Sequence, residues 1–178
     1  VQWLKKLALA KSTEDEVRLG ECLYLGKGSE KNYNEAFKIF QKGANEGNSD
    51  AQLYLGKCLL WGNGIDKNQN EAIKWLKKSA SQNNNEAQYI LGCCYYEGAG
   101  VRKNLNKAIY WFQKSANEGH PFAQNALGER YYKGIGVKQD YKKAAYWLLR
   151  SAEKGYSWGQ VNLGLCYDKG HGVELNKK

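Results

Sequence analysis

The sequence predicts an all-α protein, a right-handed α-solenoid superhelix built from 36-residue helix-loop-helix repeats. Leu-Gly pairs return every 36 residues without an insertion, two further glycine columns keep the same interval, and the apolar residues between them follow a helical spacing. A fixed period of this length is the signature of a repeat array. The pairs are at 19–20, 55–56, 91–92, 127–128 and 163–164, and the glycine columns are Gly26, Gly62, Gly98, Gly134 and Gly170, and Gly28, Gly64, Gly100, Gly136 and Gly172.

The first helix of each repeat, helix A, is best seen in the second copy. Ala51, Leu55, Cys58 and Leu59 follow the i, i+4, i+7, i+8 spacing of one apolar helix face. Gly62 ends this face, and a left-handed C-cap is the simplest reason for glycine there. We expect the glycine of each Leu-Gly pair to mark a close approach of packed helices.

Polar residues predict where both helices of a repeat begin. Ser49 and Gln52 match a capping box, with Ser49 as the N-cap of helix A and Gln52 reaching back to it. Asn68 is the predicted N-cap of the second helix, helix B. Its counterparts in the other copies are Asn32, Asn104, Asp140 and Asn176.

Helix B has an apolar stripe of its own, which the second copy shows as Ala72, Trp75, Leu76, Ser79 and Ala80. Its helical period predicts that this stripe is buried. Stacked repeats of this kind place helix A on the concave side of a solenoid and helix B on the convex side.

We predict one repeat array over residues 1–178. Neither end has a polar capping repeat, which leads us to expect that the array continues in both directions. The predicted divisions are a partial repeat with helix B alone at 1–11, repeats at 12–47, 48–83, 84–119 and 120–155, and a partial repeat with helix A alone at 156–178.

The pattern as a whole resembles the Sel1-like repeat, a relative of the tetratricopeptide repeat, over the entire chain. The fourth copy carries it best, in Leu127-Gly128, Tyr131, Gly134, Gly136, Val137, Asp140, Lys143-Ala144, Trp147 and Ser151-Ala152. The resemblance implies an adaptor of the kind found in signalling, membrane-protein degradation, cell-wall synthesis and host–microbe contact. Some arrays of this family are fused to kinase domains.

Residues with reactive side chains are interpreted as structural residues, because most of them recur at the same position of the repeat. Cys22, Cys58, Cys94 and Cys166 share one column and are predicted to be small buried residues. Unpaired cysteines and the lack of a glycosylation sequon favour a reducing compartment, and therefore the cytoplasm. No catalytic residue, metal or cofactor is predicted, and the segment is taken as non-enzymatic.

The tetratricopeptide relationship implies which helix A residues face the concave groove. Aromatic residues with a polar rim are typical of protein-binding surfaces. The alternative is that some of these aromatic residues pack between neighbouring A helices. The predicted groove residues are Tyr24, Tyr54, Lys57, Trp61, Tyr89, Cys93, Tyr96, Phe122, Asn125, Tyr132, Lys133, Trp158 and Asn162.

The net charge of +9 is expected to lie on helix B and the loops, because the groove positions carry more acids than bases. Single-stranded nucleic acid needs aromatic residues and cations on one face. Here they are expected on opposite faces, so no nucleic-acid partner is predicted. No apolar run is long enough for a membrane helix.

Three functions remain open from the sequence. The first is a non-catalytic scaffold that binds a peptide or a partner protein in its concave groove. The second is a structural spacer or self-assembling segment of a larger protein, with a fused kinase domain as one context. The third is the docking of a basic convex face on an acidic surface.

Overall fold

The computed structural model of this chain describes residues 12–173. This part of the chain forms nine α-helices and no strand, which confirms the predicted all-α class. The predicted partial repeat at 1–11 and Asn176 lie outside the described residues. The helices are numbered in chain order, so that helix A of each repeat has an odd number and helix B an even number. The helices are α1 (Thr13–Leu25), α2 (Tyr33–Asn45), α3 (Ser49–Trp61), α4 (Gln69–Ser81), α5 (Asn85–Glu97), α6 (Leu105–Asn117), α7 (Pro121–Lys133), α8 (Tyr141–Glu153) and α9 (Ser157–Lys169).

The chain divides into two compact units, residues 1–87 and 88–178. Unit 1 contains helices α1 to α4 and the first residues of α5. Unit 2 contains the rest of α5 and helices α6 to α9. In unit 1 each helix from α1 to α4 packs against the next, and in unit 2 the same holds from α6 to α9.

In the four repeats with a described helix B, the glycine of the Leu-Gly pair lies where helix A meets helix B of the same repeat. A Cβ atom on Gly56 would lie 2.7 Å from Leu76 Cγ, and one on Gly128 would lie 2.7 Å from Leu148 Cγ. Both distances are too short for real carbon atoms. The expected close approach is therefore confirmed in both units.

The predicted N-cap of helix A is wrong by one residue. The side chain of Asn48, not that of Ser49, accepts the hydrogen bond from the backbone N–H of Ala51. Gln52 does not reach back to the cap; its buried amide donates to the carbonyl of Ala44, at the end of the preceding helix B, over 3.3 Å. The prediction failed because Asn48 and Ser49 are both residue types that cap helices. Gln52 belongs to the buried face of α3, so its side chain turns inward and away from the cap.

The predicted N-caps of helix B are confirmed in all four described copies. Asn32, Asn68, Asn104 and Asp140 each accept a hydrogen bond from the backbone N–H three residues later. The backbone N–H of Asn68 donates to the carbonyl of Leu59 in the preceding helix A over 2.8 Å. This second bond closes the loop between the two helices.

Both glycines of the loop need the left-handed conformation. Gly62 caps α3 with φ 79°, as predicted, and Gly64 follows with φ 78°. A Cβ atom on Gly64 would overlap the backbone carbonyl of Tyr33, which belongs to helix B of the previous repeat. The loop of one repeat thus lies directly on the backbone of the repeat before it.

Candidate functional site

The predicted groove residues lie on the A helices, and we call the surface that they form in each unit the A-helix face. Its members differ widely in exposure. Trp61 is 52% exposed, Phe122 43% and Trp158 61%, whereas Tyr24 and Tyr54 are only 9% exposed. The face therefore consists of a few projecting aromatic side chains above others that are packed into the protein.

In unit 1, Tyr24 and Tyr54 pack between helices. The Tyr54 ring stacks on Phe40 at 4.8 Å, and Tyr24 meets Tyr54 edge-on at 5.5 Å. Asn63 donates a hydrogen bond to the Tyr24 hydroxyl over 2.7 Å. Burial raises the pKa of Tyr24 to about 12. These two tyrosines are therefore packing residues beneath the A-helix face. For them the alternative interpretation holds, in which aromatic residues of this set pack between neighbouring A helices.

Two charged side chains of unit 1, Lys57 and Glu21, lie close to neighbouring charges. Lys57 forms an ion pair with Glu86, and its ammonium lies 4.6 Å from the centre of the Tyr54 ring. The pKa of Glu21 is raised, first by partial burial and then by the nearby carboxylate of Asp50. This part of the A-helix face is therefore mildly acidic.

In unit 2, four aromatic rings form a connected cluster at the start of α7 and α9. Tyr89 stacks on His120 at 5.1 Å, His120 lies 5.4 Å from Phe122, and Phe122 meets Tyr156 edge-on at 4.5 Å. His120 and Tyr156 occupy the N-cap positions of their helices. Sequence reasoning missed both, although an aromatic ring at a position that holds Asn48 in an earlier repeat was a signal.

Cys93 lies beside this cluster and is half-buried. It shares a hydrogen bond with Tyr89, and burial raises the pKa of its thiol. All five cysteines of the chain are free, and the four of the repeated column are buried as predicted. A thiol with a raised pKa is a poor nucleophile at neutral pH, so no reactive role is assigned to Cys93.

Further along unit 2, Tyr132 is held by groups from the following repeat. Its hydroxyl shares a 3.0 Å hydrogen bond with Nδ1 of His171, whose ring stacks on Tyr141 at 4.1 Å. Tyr24, Asn63 and Tyr33 make the corresponding arrangement in unit 1. Tyr24 and Tyr132 are therefore each fixed by the Gly-x-Gly loop of the next repeat.

A polar network joins α7 and α9. Asn162 donates from its amide nitrogen to Asn125 Oδ1 over 2.9 Å and to Glu129 Oε1 over 3.0 Å. Asn125 is buried and itself donates to Glu129 over 3.1 Å. Lys133 lies 3.9 Å from the same carboxylate. The structure thus brings together three of the predicted groove residues around one acidic side chain.

The surface of the B helices, the B-helix face, differs from expectation in unit 2. Tyr110 is 53% exposed and Tyr146 is 50% exposed. The ammonium of Lys114 lies 5.6 Å from the Tyr110 ring, and Arg150 donates to the Tyr146 hydroxyl over 2.8 Å. The expectation that aromatic residues and cations lie on opposite faces is therefore wrong here, because these tyrosines fall outside the buried stripe of helix B.

Residues 12–173 show neither a metal-binding cluster nor a membrane-spanning helix. No three His, Cys, Asp or Glu side chains of this range gather as they would around a metal ion. None of its helices combines the length and the apolar character that crossing a bilayer requires.

The fold and its surfaces define the class of the protein, an α-helical repeat protein of helix-loop-helix units with exposed aromatic side chains. The family model described as Sel1 repeat matches residues 14–48, 49–84, 85–120, 121–156 and 159–178. The chain therefore belongs to the Sel1 repeat family. Proteins of this family are generally protein-interaction scaffolds, and their fold is typically non-catalytic.

Solved structures agree with this assignment. A Sel1 repeat protein from Oxalobacter formigenes is 35% identical, with a TM-score of 0.81 over 93% of this chain. A protective antigen with an SLR fold, present in uropathogenic Escherichia coli strains, is 32% identical, with a TM-score of 0.85 over 98% of this chain. The chain spans 66% of the first of these proteins and 38% of the second.

A more distant neighbour supports the fold alone. Helicobacter pylori cysteine rich protein B is 20% identical, with a TM-score of 0.61 over 73% of this chain and 96% of its own. No match was found among curated proteins.

Proposed function

We propose that the A-helix face binds an extended peptide segment or a loop of a partner protein, so that the chain acts as a scaffold. The observation that supports this most is the exposure of Trp61, Phe122 and Trp158. Large aromatic residues dominate the binding energy of protein interfaces when a partner covers them. Each stands on a rigid helix, so little ordering is needed before a partner binds.

The packing of neighbouring aromatic rings supports the same function. Phe122 packs edge-on against Tyr156 in unit 2, which restricts its ring. In unit 1 the buried rings of Tyr24 and Tyr54 fix the helices from which Trp61 projects. Side chains fixed in this way lose less entropy on binding than free surface residues do.

The test uses Trp61→Ala in unit 1 and Trp158→Ala in unit 2. Each variant is used as bait in pull-downs, and bound proteins are identified by mass spectrometry. For at least one variant, we expect the amount of recovered partner to fall about tenfold or more. The reason is that a tryptophan at the centre of an interface typically contributes about 2 kcal/mol or more to the binding free energy. Circular dichroism and the melting temperature should stay unchanged, because both side chains are more than half exposed.

Tyr110→Ala and Tyr146→Ala are matched controls, because both tyrosines are half exposed on the other face. Partners should be retained by these variants. If the tryptophan variants keep their fold and every partner, the A-helix face is not the binding surface. The array would then be a structural spacer or a self-assembling segment.

We also propose a second candidate, in which the B-helix face of unit 2 docks on an acidic membrane surface. From 102 to 118 and from 138 to 154 there are nine Lys or Arg and only three Asp or Glu. Tyr110 and Tyr146 are exposed among them. Tyrosine favours the lipid headgroup region, and each nearby cation contributes about 1 kcal/mol on an anionic leaflet.

Vesicle sedimentation tests this second candidate. Vesicles of phosphatidylcholine with phosphatidylserine should bind the protein, and binding should fall as salt rises because exposed charges are screened. Tyr110→Ala and Tyr146→Ala should weaken it, while Trp61→Ala serves as the control. Equal binding to vesicles of phosphatidylcholine alone, or binding that does not respond to salt, would exclude this candidate.

A further inference from the structure

A small cleft opens on the A-helix face of unit 2. Its volume is about 160 Å³. Helix α7 supplies three of its lining residues, α8 one and α9 two. They are Glu129, Tyr132, Lys133, Leu148, Asn162 and Leu165.

The size and the apolar lining of this cleft define what fits in it. Leu148 and Leu165 contribute only hydrocarbon, and Tyr132 contributes its ring. An apolar cavity of about 150 Å³ is large enough to bind one benzene molecule. This cleft is therefore large enough for one branched aliphatic side chain, such as that of leucine or isoleucine.

The polar residues of the cleft are placed to hold a peptide backbone. Both hydrogen bonds of the Asn162 amide nitrogen go to Asn125 and Glu129, which fixes the orientation of the amide group. Its carbonyl oxygen, Oδ1, accepts no hydrogen bond from any residue between 12 and 173. Lys133 also lines the cleft, with a side chain 56% exposed. Its ammonium lies 3.9 Å from the Glu129 carboxylate, which is longer than a hydrogen bond, so its N–H groups are able to donate to a peptide carbonyl.

We propose that this cleft is a side-chain subsite: it takes one aliphatic side chain of a partner segment, while Asn162 Oδ1 accepts the backbone N–H of that residue. The proposal deepens the proposed function of the A-helix face and rests on it.

The first test uses small probes and needs no natural partner. N-acetyl-leucine N-methylamide and N-acetyl-glycine N-methylamide are titrated into the labelled protein and followed by nuclear magnetic resonance. The leucine amide should bind about tenfold more tightly, because it buries an isobutyl group that the glycine amide lacks. Shifted backbone resonances should cluster at the six lining residues. Equal affinities, or shifts elsewhere on the protein, would overturn the proposal.

Variants of Leu165 test the location. Leu165→Ser removes part of the cleft lining, and Leu165→Trp fills the cleft with a larger side chain. Both should abolish the preference for the leucine amide. Leu149→Ser is the matched control, because Leu149 is 41% exposed against 49% for Leu165 and does not line the cleft. If either Leu165 variant folds and keeps the preference, the subsite is not this cleft.

A peptide library separates this proposal from the proposed function. Displayed random peptides are selected on the wild-type protein and then tested against Trp158→Ala and Leu165→Trp. Loss with Trp158→Ala but not with Leu165→Trp, without enrichment of aliphatic residues, would leave the proposed function intact and overturn the subsite. If no peptide is selected, the proposed function loses its support, and the amide titration still decides whether the cleft binds a side chain.

Discussion

The guanidinium carbon of Arg130 lies 4.2 Å from the centre of the Tyr96 ring. Arg130 occupies the column that holds cysteine in the other repeats. Its side chain is only 12% exposed and is 3.4 Å from the Glu129 carboxylate, and its Nε has no hydrogen-bond partner among residues 12–173. A charge in this place depends on Tyr96 and Glu129 for its stabilisation.

A double-mutant cycle measures that dependence. We expect Arg130→Ala and Tyr96→Leu to be coupled by about 1–2 kcal/mol in the free energy of unfolding, as for a partly desolvated cation–π pair. Arg130→Lys should also destabilise the protein, because an ammonium does not stack on the ring as a planar guanidinium does. Urea denaturation gives the four free energies. Additive effects would show that the contact contributes no stability.

The second loop glycine offers a test of backbone packing. Gly64→Ala should destabilise the protein by about 1–3 kcal/mol more than Gly47→Ala, because only the first substitution forces a Cβ atom into a neighbouring carbonyl. Both glycines have positive φ, 78° and 91°, and no atom lies within 4 Å of the Cβ position at Gly47. Urea denaturation of both variants makes the comparison, and equal losses would mean that the loop shifts to accommodate the methyl group.

Asn83 is the only residue other than glycine with positive φ in the described range. Asn83→Gly should raise the free energy of unfolding by less than about 1 kcal/mol, because glycine reaches the left-handed region without strain. Gly119→Asn is the reverse change at an equivalent position with φ 83°, and it should lower stability by a similar amount. Thermal unfolding of both variants checks the sign. A loss of stability in Asn83→Gly would point to a side-chain role of Asn83.

The raised pKa of Glu21 predicts a pH dependence. The folded protein holds this proton more tightly than the unfolded chain, so the stability from this group is present below its ordinary pKa of 4.5 and is lost as pH rises through the folded-state pKa. Glu21→Gln should therefore stabilise the protein near neutral pH, by at most about 1 kcal/mol because the group is half exposed. The gain should vanish in acid.

Urea denaturation as a function of pH measures the effect of Glu21→Gln. The control is Glu14→Gln, which removes a more exposed carboxylate from the same face. A gain at neutral pH that persists unchanged in acid would show that the effect comes from packing rather than from the proton.

Buried thiols predict a second pH effect. Burial raises the pKa of Cys58 and of Cys94 to about 12, so both stay protonated when the protein is folded. The stability from these groups is present below their ordinary pKa of 9.0 and is lost as pH rises toward 12. A thiol reagent at about pH 8 should label the column cysteines only at the rate of unfolding. Rapid labelling of all five cysteines in native buffer would contradict the burial.

The 36-residue repeat predicted the fold well, because glycine and N-cap residues determine the conformation and the hydrogen bonds of the backbone within a few residues of themselves. Gly62 and Asn68 take the conformations that their positions required. The N-cap of α3 was misplaced because Asn48 and Ser49 are both able to cap. Only the buried face, which turns Gln52 toward Ala44, distinguishes the two.

The surface was less predictable, because exposure depends on side chains from the neighbouring repeat. Tyr54 and Trp61 were both assigned to the groove, yet the first stacks on Phe40 and the second projects from the end of α3. The exposed tyrosines Tyr110 and Tyr146 were missed in the same way. A position in the repeat identifies the helix face but does not tell which neighbour covers it.

The contact of Gly64 with the backbone of Tyr33 also bears on how such an array changes its length. The loop is fixed at one side by this contact and at the other by the hydrogen bond from Asn68 to Leu59. One added or lost residue would break one of the two. We therefore expect small insertions and deletions in this loop to destabilise the array, whereas the addition or removal of a whole repeat leaves both contacts intact in every remaining loop.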